Sequence, residues 1–162
     1  MKLLVVFGSK SDANIFEPLK AALIKAGHEL DFRMLSVHRS PELLDKELAS
    51  TRADAVVAGA GLAAHLPGVL ASKLLLPVIG IPCRAAFGGI DAMLAMLQMP
   101  FGIPVLTTAP DRWESAVDFL HIFDQTDFRF APEAINLVMK NSPHMKNMHE
   151  RVLKVADQNK IE

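Results

Sequence analysis

The sequence predicts a three-layer α/β sandwich, flavodoxin-like or Rossmann-like, with a central parallel sheet and further helices at the C-terminus. Three observations carry that expectation. Apolar runs of strand length alternate with segments whose apolar residues recur at helical spacing. The first run, after its lysine, is unbroken, as in strands covered on both faces. And three polar knots, GSKSD at 8–12, SVHRSP at 36–41 and AGAGLAAHLPG at 58–68, each follow one of the first three runs.

The elements follow in order. Lys2–Phe7 reads as the first strand, and Asp12 is placed to cap the next segment. There Ile15, Leu19, Ala22, Leu23 and Ala26 share one helical face, with Gly27 as the stop. His28–Leu35 is the second strand, and Pro41 suits the first turn of a helix reaching about Ser50. Ala55–Ala60 is a third strand of small apolar residues. Ala64–Leu75 is helical provided Pro67 lies in its first turn. Pro77–Ile81 is a fourth strand closed by Pro82, CRAAFGG at 83–89 is a loop, and Ile90–Gln98 returns to helix. Pro104–Thr108 supplies a fifth strand and Trp113–Phe123 another helix. Residues 1–162 read as a single α/β domain, with a helical C-terminal extension from about 125 to 162 interrupted at Pro132 and Pro143.

Composition narrows the function classes. Of the 162 residues, 51% are hydrophobic and 22% charged, enough apolar material for a real core. A net charge of −1 without a basic stripe disfavours nucleic acid as a partner. No run approaches the roughly 18 apolar residues of a membrane span. The apolar stretch after Lys2 is too short for a signal peptide and has no small-residue cleavage site behind it. The lone cysteine, Cys83, cannot form an internal disulfide, which suits a reducing cytoplasm.

Right-handed crossovers bring the loops after parallel strands to one edge, where open α/β sheets bind ligands. The three knots are therefore expected together. In GSKSD, Gly8 permits a tight turn, the following amides favour an anion, Ser9 and Ser11 offer hydroxyls, and Asp12 can accept from ribose hydroxyls. A plain helix cap is the alternative. In SVHRSP, Arg39 can clasp a phosphate with Ser36 and Ser40 completing the cradle, while His38 either joins it or faces solvent. In AGAGLAAHLPG, Gly59 and Gly61 are expected to let backbone approach a ligand. His65, at a helix start on the ligand edge, is the candidate proton carrier, the alternative being a satisfied core histidine. His28, His121, His144 and His149 fall off that edge and show no metal-ligand spacing. Cys83 lies beside Arg84, which allows a lowered thiol pKa but equally a packing role. Met93, Met96 and Met99, at helical spacing, read as core or subunit contact.

Taken in order and spacing, GSKSD, SVHRSP, AGAGLAAHLPG, PVIGIP and QMPFGIPV resemble the PurE family, the N5-carboxyaminoimidazole ribonucleotide (N5-CAIR) mutases of purine biosynthesis, over about residues 3 to 108. The intact AAHLPG segment is closer to the bacterial mutase class than to the animal carboxylase class. The resemblance implies transfer of a carboxylate from the exocyclic nitrogen of an aminoimidazole ribonucleotide to ring carbon 4, with no cofactor and no metal. It implies Ser9, Ser11 and Asp12 at the ribose, and Ser36 and Arg39 at the 5′-phosphate with His38 beside them. Gly61 would line the base and carboxylate pocket, and His65 would be the general acid/base. It further implies a cytoplasmic homo-octamer with sites near subunit contacts.

The chain departs from the family pattern in four places. Ala13 stands where a large residue is usual, FGG at Phe87–Gly89 replaces LSG, and Phe101 replaces the basic residue of MPRG. After Thr108, APDRWESAVDFL replaces a glycine- and alanine-rich segment. These changes leave two alternatives open: a relative that carboxylates or decarboxylates another heteroaromatic ribonucleotide, and a non-enzymatic nucleotide-binding protein.

Overall fold

A computed structural model of the chain describes residues 1–74 and 76–125. The expected C-terminal helices beyond them, with Pro132 and Pro143, lie outside the described residues.

Five parallel strands form one sheet in the order β2-β1-β3-β4-β5. They are β1 (Lys2–Phe7), β2 (Glu29–Met34), β3 (Ala55–Ala60), β4 (Val78–Pro82) and β5 (Leu106–Thr107). The helices are α1 (Ala13–Lys25), α2 (Pro41–Ala49), α3 (Leu66–Lys73), α4 (Ile90–Leu97) and α5 (Trp113–Gln125). The expected flavodoxin-like α/β sandwich is what forms.

Strand periodicity divides the core in two. Leu3, Val5 and Phe7 of β1 point to one face, where they meet Ile15, Phe16, Leu19 and Leu23 of α1 and Ala116 and Leu120 of α5. Leu4 and Val6 point to the other, against Leu44 and Leu48 of α2, Leu66 and Leu70 of α3 and Met96 of α4. Residues with both neighbours in the ladder and helices above and below have no use for alternation, which is why β1 and β3 read as continuous apolar runs. Edge strand β2 does alternate, with Asp31 and Arg33 outward and Phe32 and Met34 half-buried.

The structure differs from the sequence reading at element ends. A 3₁₀ turn over Lys10–Asp12 precedes α1, so the first knot is itself part of the helix entry. Helix α3 starts at Leu66, not Ala64, because the chain closes two tight turns first, His65 N–H donating to Ala63 O and Ala64 N–H to Leu62 O. Pro67 sits in the first turn, where its missing N–H costs nothing. Strand β5 shrinks to two residues; Pro104 has no N–H to contribute to a ladder.

The strand order reverses beside β1. The first crossover runs outward to β2, and the next returns past β1 to β3. Beyond the carboxyl ends of β1 and β3 the loops diverge and leave a crevice, the position at which open parallel sheets take ligands. GSKSD and AGAGLAAHLPG flank it.

Candidate functional site

A cavity of about 110 Å³ occupies that crevice, and all three knots border it. Gly8, Ser9 and Asp12 come from the first, Ser36, Val37 and His38 from the second, and Ala60, Gly61, Ala63 and Leu66 from the third. Of the residues expected in a site, Ser9, Asp12, Ser36, His38 and Gly61 line it. Ser11, Arg39 and His65 stand one contact away.

The first knot is tied by its own side chains. Ser9 Oγ accepts from Ser11 N–H at 3.2 Å, capping the 3₁₀ turn in place of the cap expected from Asp12. The Ser11 hydroxyl lies 2.8 Å from Ser9 Oγ and 3.2 Å from Asp12 Oδ1, and its single hydrogen can serve one of them at a time. Asp12 is left free of backbone duty. Burial raises its carboxyl above the usual range; the Ser11 hydroxyl opposes that rise and the Asp111 carboxylate adds to it. A half-buried carboxyl short of donors is suited to accept from a ligand's hydroxyls.

The second knot closes on itself through backbone bonds. Ser36 O accepts from Ser40 N–H at 2.9 Å and from the Ser40 hydroxyl at 3.1 Å, while Ser36 Oγ accepts from Arg39 N–H at 3.3 Å. Ser40 is thereby committed to the turn. Arg39 reaches back across the crevice, where its Nη2 donates to Gly8 O at 2.9 Å. The cation thus sits over the end of β1, beside the first knot.

In the third knot the two glycines do different things. A Cβ at Gly59 would overlap the Phe7 ring. That corrects the expectation for Gly59, since the space belongs to the core and not to a ligand. A Cβ at Gly61 would come within 3.0 Å of Cys83 O, so Gly61 lets the loops after β3 and β4 run side by side at the cavity wall. Leu62 follows in the left-handed region at φ 55°, turning the chain sharply. His65 emerges exposed at the cap of α3, not enclosed as its apolar neighbours suggested. Its Nδ1 meets His38 Nε2 at 2.9 Å, with the rings edge to face at 74°.

Several features were not anticipated. Asp111, in the left-handed region at φ 60°, accepts from Arg84 N–H at 2.8 Å and pairs with Arg84 Nε at 3.3 Å. Its carboxylate is felt by both Asp12 and Cys83. No periodicity marks such a residue, because it works through a loop fold and not through a face. The apolar lining, Val37, Ala60 and Ala63, has no sequence signal of its own either. Cys83 is buried, and burial with the Asp12 and Asp111 carboxylates drives its thiol upward, so it is a packing residue and not an activated nucleophile. Among the Met residues, Met96 is core, and Met99 packs its sulfur where a Gly68 Cβ would stand. His28 lies at the opposite end of the sheet, its Nδ1 3.5 Å from the N-terminal ammonium. Among the described residues no cluster of His, Cys, Asp and Glu could hold a metal ion.

Comparison with known proteins gives a consistent result. The profile of the AIR carboxylase family matches residues 2–127. An N5-carboxyaminoimidazole ribonucleotide mutase of Methanocaldococcus jannaschii is 46% identical over 112 residues, 69% of this chain and 71% of that one. One from Saccharolobus solfataricus is 40% identical over 112 residues, 67% of this chain and 71% of that one. Among solved structures, Treponema denticola PurE superposes with a TM-score of 0.65, covering 99% of this chain and 98% of that one at 22% identity, a likeness of fold.

Proposed function

The chain belongs to the AIR carboxylase family, and from that premise we propose that it is an N5-CAIR mutase, an isomerase of purine biosynthesis that moves a carboxylate from the exocyclic nitrogen to carbon 4 of the aminoimidazole. The observation that carries the reading is the meeting of His38 with His65 at the wall of the three-knot cavity.

The reaction needs a proton delivered and then withdrawn. Protonation of the carbamate nitrogen breaks its bond to the carboxylate carbon, leaving the aminoimidazole and carbon dioxide. The electron-rich ring carbon 4 attacks carbon dioxide and forms the new carbon–carbon bond. Loss of the carbon 4 proton restores the aromatic ring. One proton enters and one leaves, so an imidazole system that gives and retakes it completes the cycle. His65 was the sequence candidate; His38 is the member of the pair that borders the cavity, and the proton is carried by the two together. The small apolar lining at Ala60 and Ala63 leaves carbon dioxide room close to carbon 4, where proximity replaces a second encounter.

The family resemblance supplies the other roles, and the lining of the cavity by Ser9, Asp12, Ser36 and Gly61 supports them. Asp12, with Ser9 and Ser11, takes the ribose hydroxyls; Ser36 and Arg39 take the 5′-phosphate; the Gly61 backbone faces the carboxylate and base. Phe87, Gly88, Gly89, Phe101 and Arg84, which carry or adjoin the departures from the family pattern, do not line the cavity.

The cavity is smaller than the roughly 300 Å³ at which small-molecule pockets begin, so part of the ribonucleotide lies outside what one chain encloses. An apolar stripe on α4 and its approach, Phe87, Ile90, Leu94 and Leu97, is exposed. Both features support an assembly in which neighbouring copies complete the site; that the assembly is a homo-octamer is what the family resemblance implies. Among the described residues no helix is long and apolar enough to cross a membrane, and the proposed setting is the cytoplasm.

Direct assay of the purified chain with N5-CAIR tests the function. Conversion to the carbon 4 carboxylate without added cofactor is expected, together with restored growth of a purine-requiring strain lacking the mutase. Tight binding of the ribonucleotide with no movement of its carboxylate would sink the reading.

A further inference from the structure

Two cavities meet at the histidine contact. His38 borders the smaller one, of about 110 Å³, and His65 does not. The His65 ring instead lines a second cavity, of about 590 Å³, between α3 and α4, walled by Val69 and Ser72 on one side and Asp91 and Leu94 on the other. The space opens at the surface, with exposed Leu94, Gln98 and Pro100 along its rim, and its size leaves room for several waters.

The contact itself is constrained. At 2.9 Å one of the two facing nitrogens carries the hydrogen and the other the lone pair. A neutral pair therefore has two forms. In one, His65 Nδ1–H donates to His38 Nε2, and His38 bears its hydrogen on Nδ1. In the other, His38 Nε2–H donates to His65 Nδ1, and His38 Nδ1 is bare. The first form is an acid at His38 Nδ1 and the second is a base there.

We propose that His65 is a proton relay joining the substrate-side imidazole of His38 to water in the larger cavity, and that it does not itself meet the substrate. The proposal rests on the mutase reading above. When His38 Nδ1 gives its hydrogen to the carbamate nitrogen, the His65 Nδ1 hydrogen passes to His38 Nε2, and a proton from water fills His65 Nε2. One proton enters from the larger cavity, one leaves into the smaller, and the pair stays neutral with its tautomers exchanged. Withdrawal of the carbon 4 proton runs the same sequence backward. No positive charge has to build on either ring beside the other.

The test uses the full chain carrying His65→Ala, His65→Asn or His38→Ala, assayed for N5-CAIR conversion with and without millimolar imidazole. His65→Ala is expected to lower kcat about 100-fold or more while KM moves little, because the proton path is cut and the substrate contacts are not. Imidazole entering the enlarged second cavity should restore kcat saturably. His65→Asn, which keeps a polar atom near Nδ1 but cannot pass a proton through, should be as slow as His65→Ala. His38→Ala should stay inactive with imidazole, since bound substrate fills its side. An unchanged kcat in His65→Ala, a rise in KM matching the fall in kcat, or no response to imidazole each overturns the relay. An inactive wild type brings down the mutase reading and the relay together, whereas an active wild type with an indifferent His65→Ala brings down the relay alone.

Discussion

His38 and His65, 27 residues apart in sequence and on loops after different strands, come to 2.9 Å between Nε2 and Nδ1. Both loops lie at the carboxyl edge of the parallel sheet, on either side of β1, which brings the two rings within reach. Of the two rings, His38 faces the cavity that the three knots share. Replacing it by asparagine keeps the size and polarity of the loop and removes the transferable proton. His38→Asn is expected to lower kcat by about 10²–10⁴-fold, with ribonucleotide affinity by calorimetry changed only a few-fold. A variant that turns over normally would show that the proton travels another way.

Arg39 occupies the crevice as a half-used cation. Its Nη2 donates to Gly8 O, and no carboxylate among the described residues pairs with it, so the guanidinium keeps donors for a phosphate. Arg39→Ala should raise KM by about 10- to 100-fold, the worth of a charge-assisted hydrogen bond or two, with kcat within a few-fold. Arg39→Lys should recover only part, because a point charge cannot hold Gly8 O and a phosphate oxygen in one plane. Steady-state kinetics at two salt concentrations checks it; an Arg39→Ala KM equal to wild type would remove the phosphate from this loop.

How much of this was legible in the sequence depends on what each residue answers to. The strands of the centre announced themselves because burial on both faces demands unbroken apolar runs, and GSKSD and SVHRSP because turns after strands select glycine, hydroxyls and proline. Gly59 misleads because a glycine at a strand end looks the same whether it admits a ligand or a neighbouring ring; only the position of Phe7 decides. The meeting of His38 with His65 is equally hidden. The apolar surroundings of His65 make it look enclosed, whereas both rings are exposed, and the contact that joins them spans two loops. Asp111, beyond the resembling segment, has no pattern to announce it.

Asp12 makes a testable trade of stability for binding. Burial foremost, and Asp111 in addition, hold its carboxyl above the ordinary range. The folded protein therefore binds that proton more tightly than the unfolded chain does. Stability falls as pH rises from the unfolded value, about 3.9, through the raised folded value, and the loss is complete above it. Asp12→Asn should accordingly melt higher than wild type at neutral pH without ligand, the difference shrinking toward pH 3, and should bind the ribonucleotide more weakly. Thermal melts across pH report the first and titration calorimetry the second. A lower neutral-pH melting temperature in the variant would contradict the account.

The last relationship ties the core to the site. Phe7 is fully buried, packed edge-on against Phe16 at 5.3 Å between centroids and near Phe32 at 6.4 Å. Its ring fills the space where a Gly59 side chain would be, and the next residue, Gly8, donates its N–H to Gly59 O at 3.2 Å. A methyl at position 59 cannot enter unless the ring moves, and the ring has aromatic neighbours in its way. Gly59→Ala should cost about 1–3 kcal/mol, the usual penalty for an overfilled core. Because the displaced backbone is the hinge of both the first and third knots, turnover should fall further than stability alone explains. Phe7→Leu in the Gly59→Ala background removes ring atoms from the clash. The double variant should therefore be less destabilised than the sum of the two single changes, a coupling read from denaturant unfolding. Strict additivity would mean that the two positions do not compete for the same space.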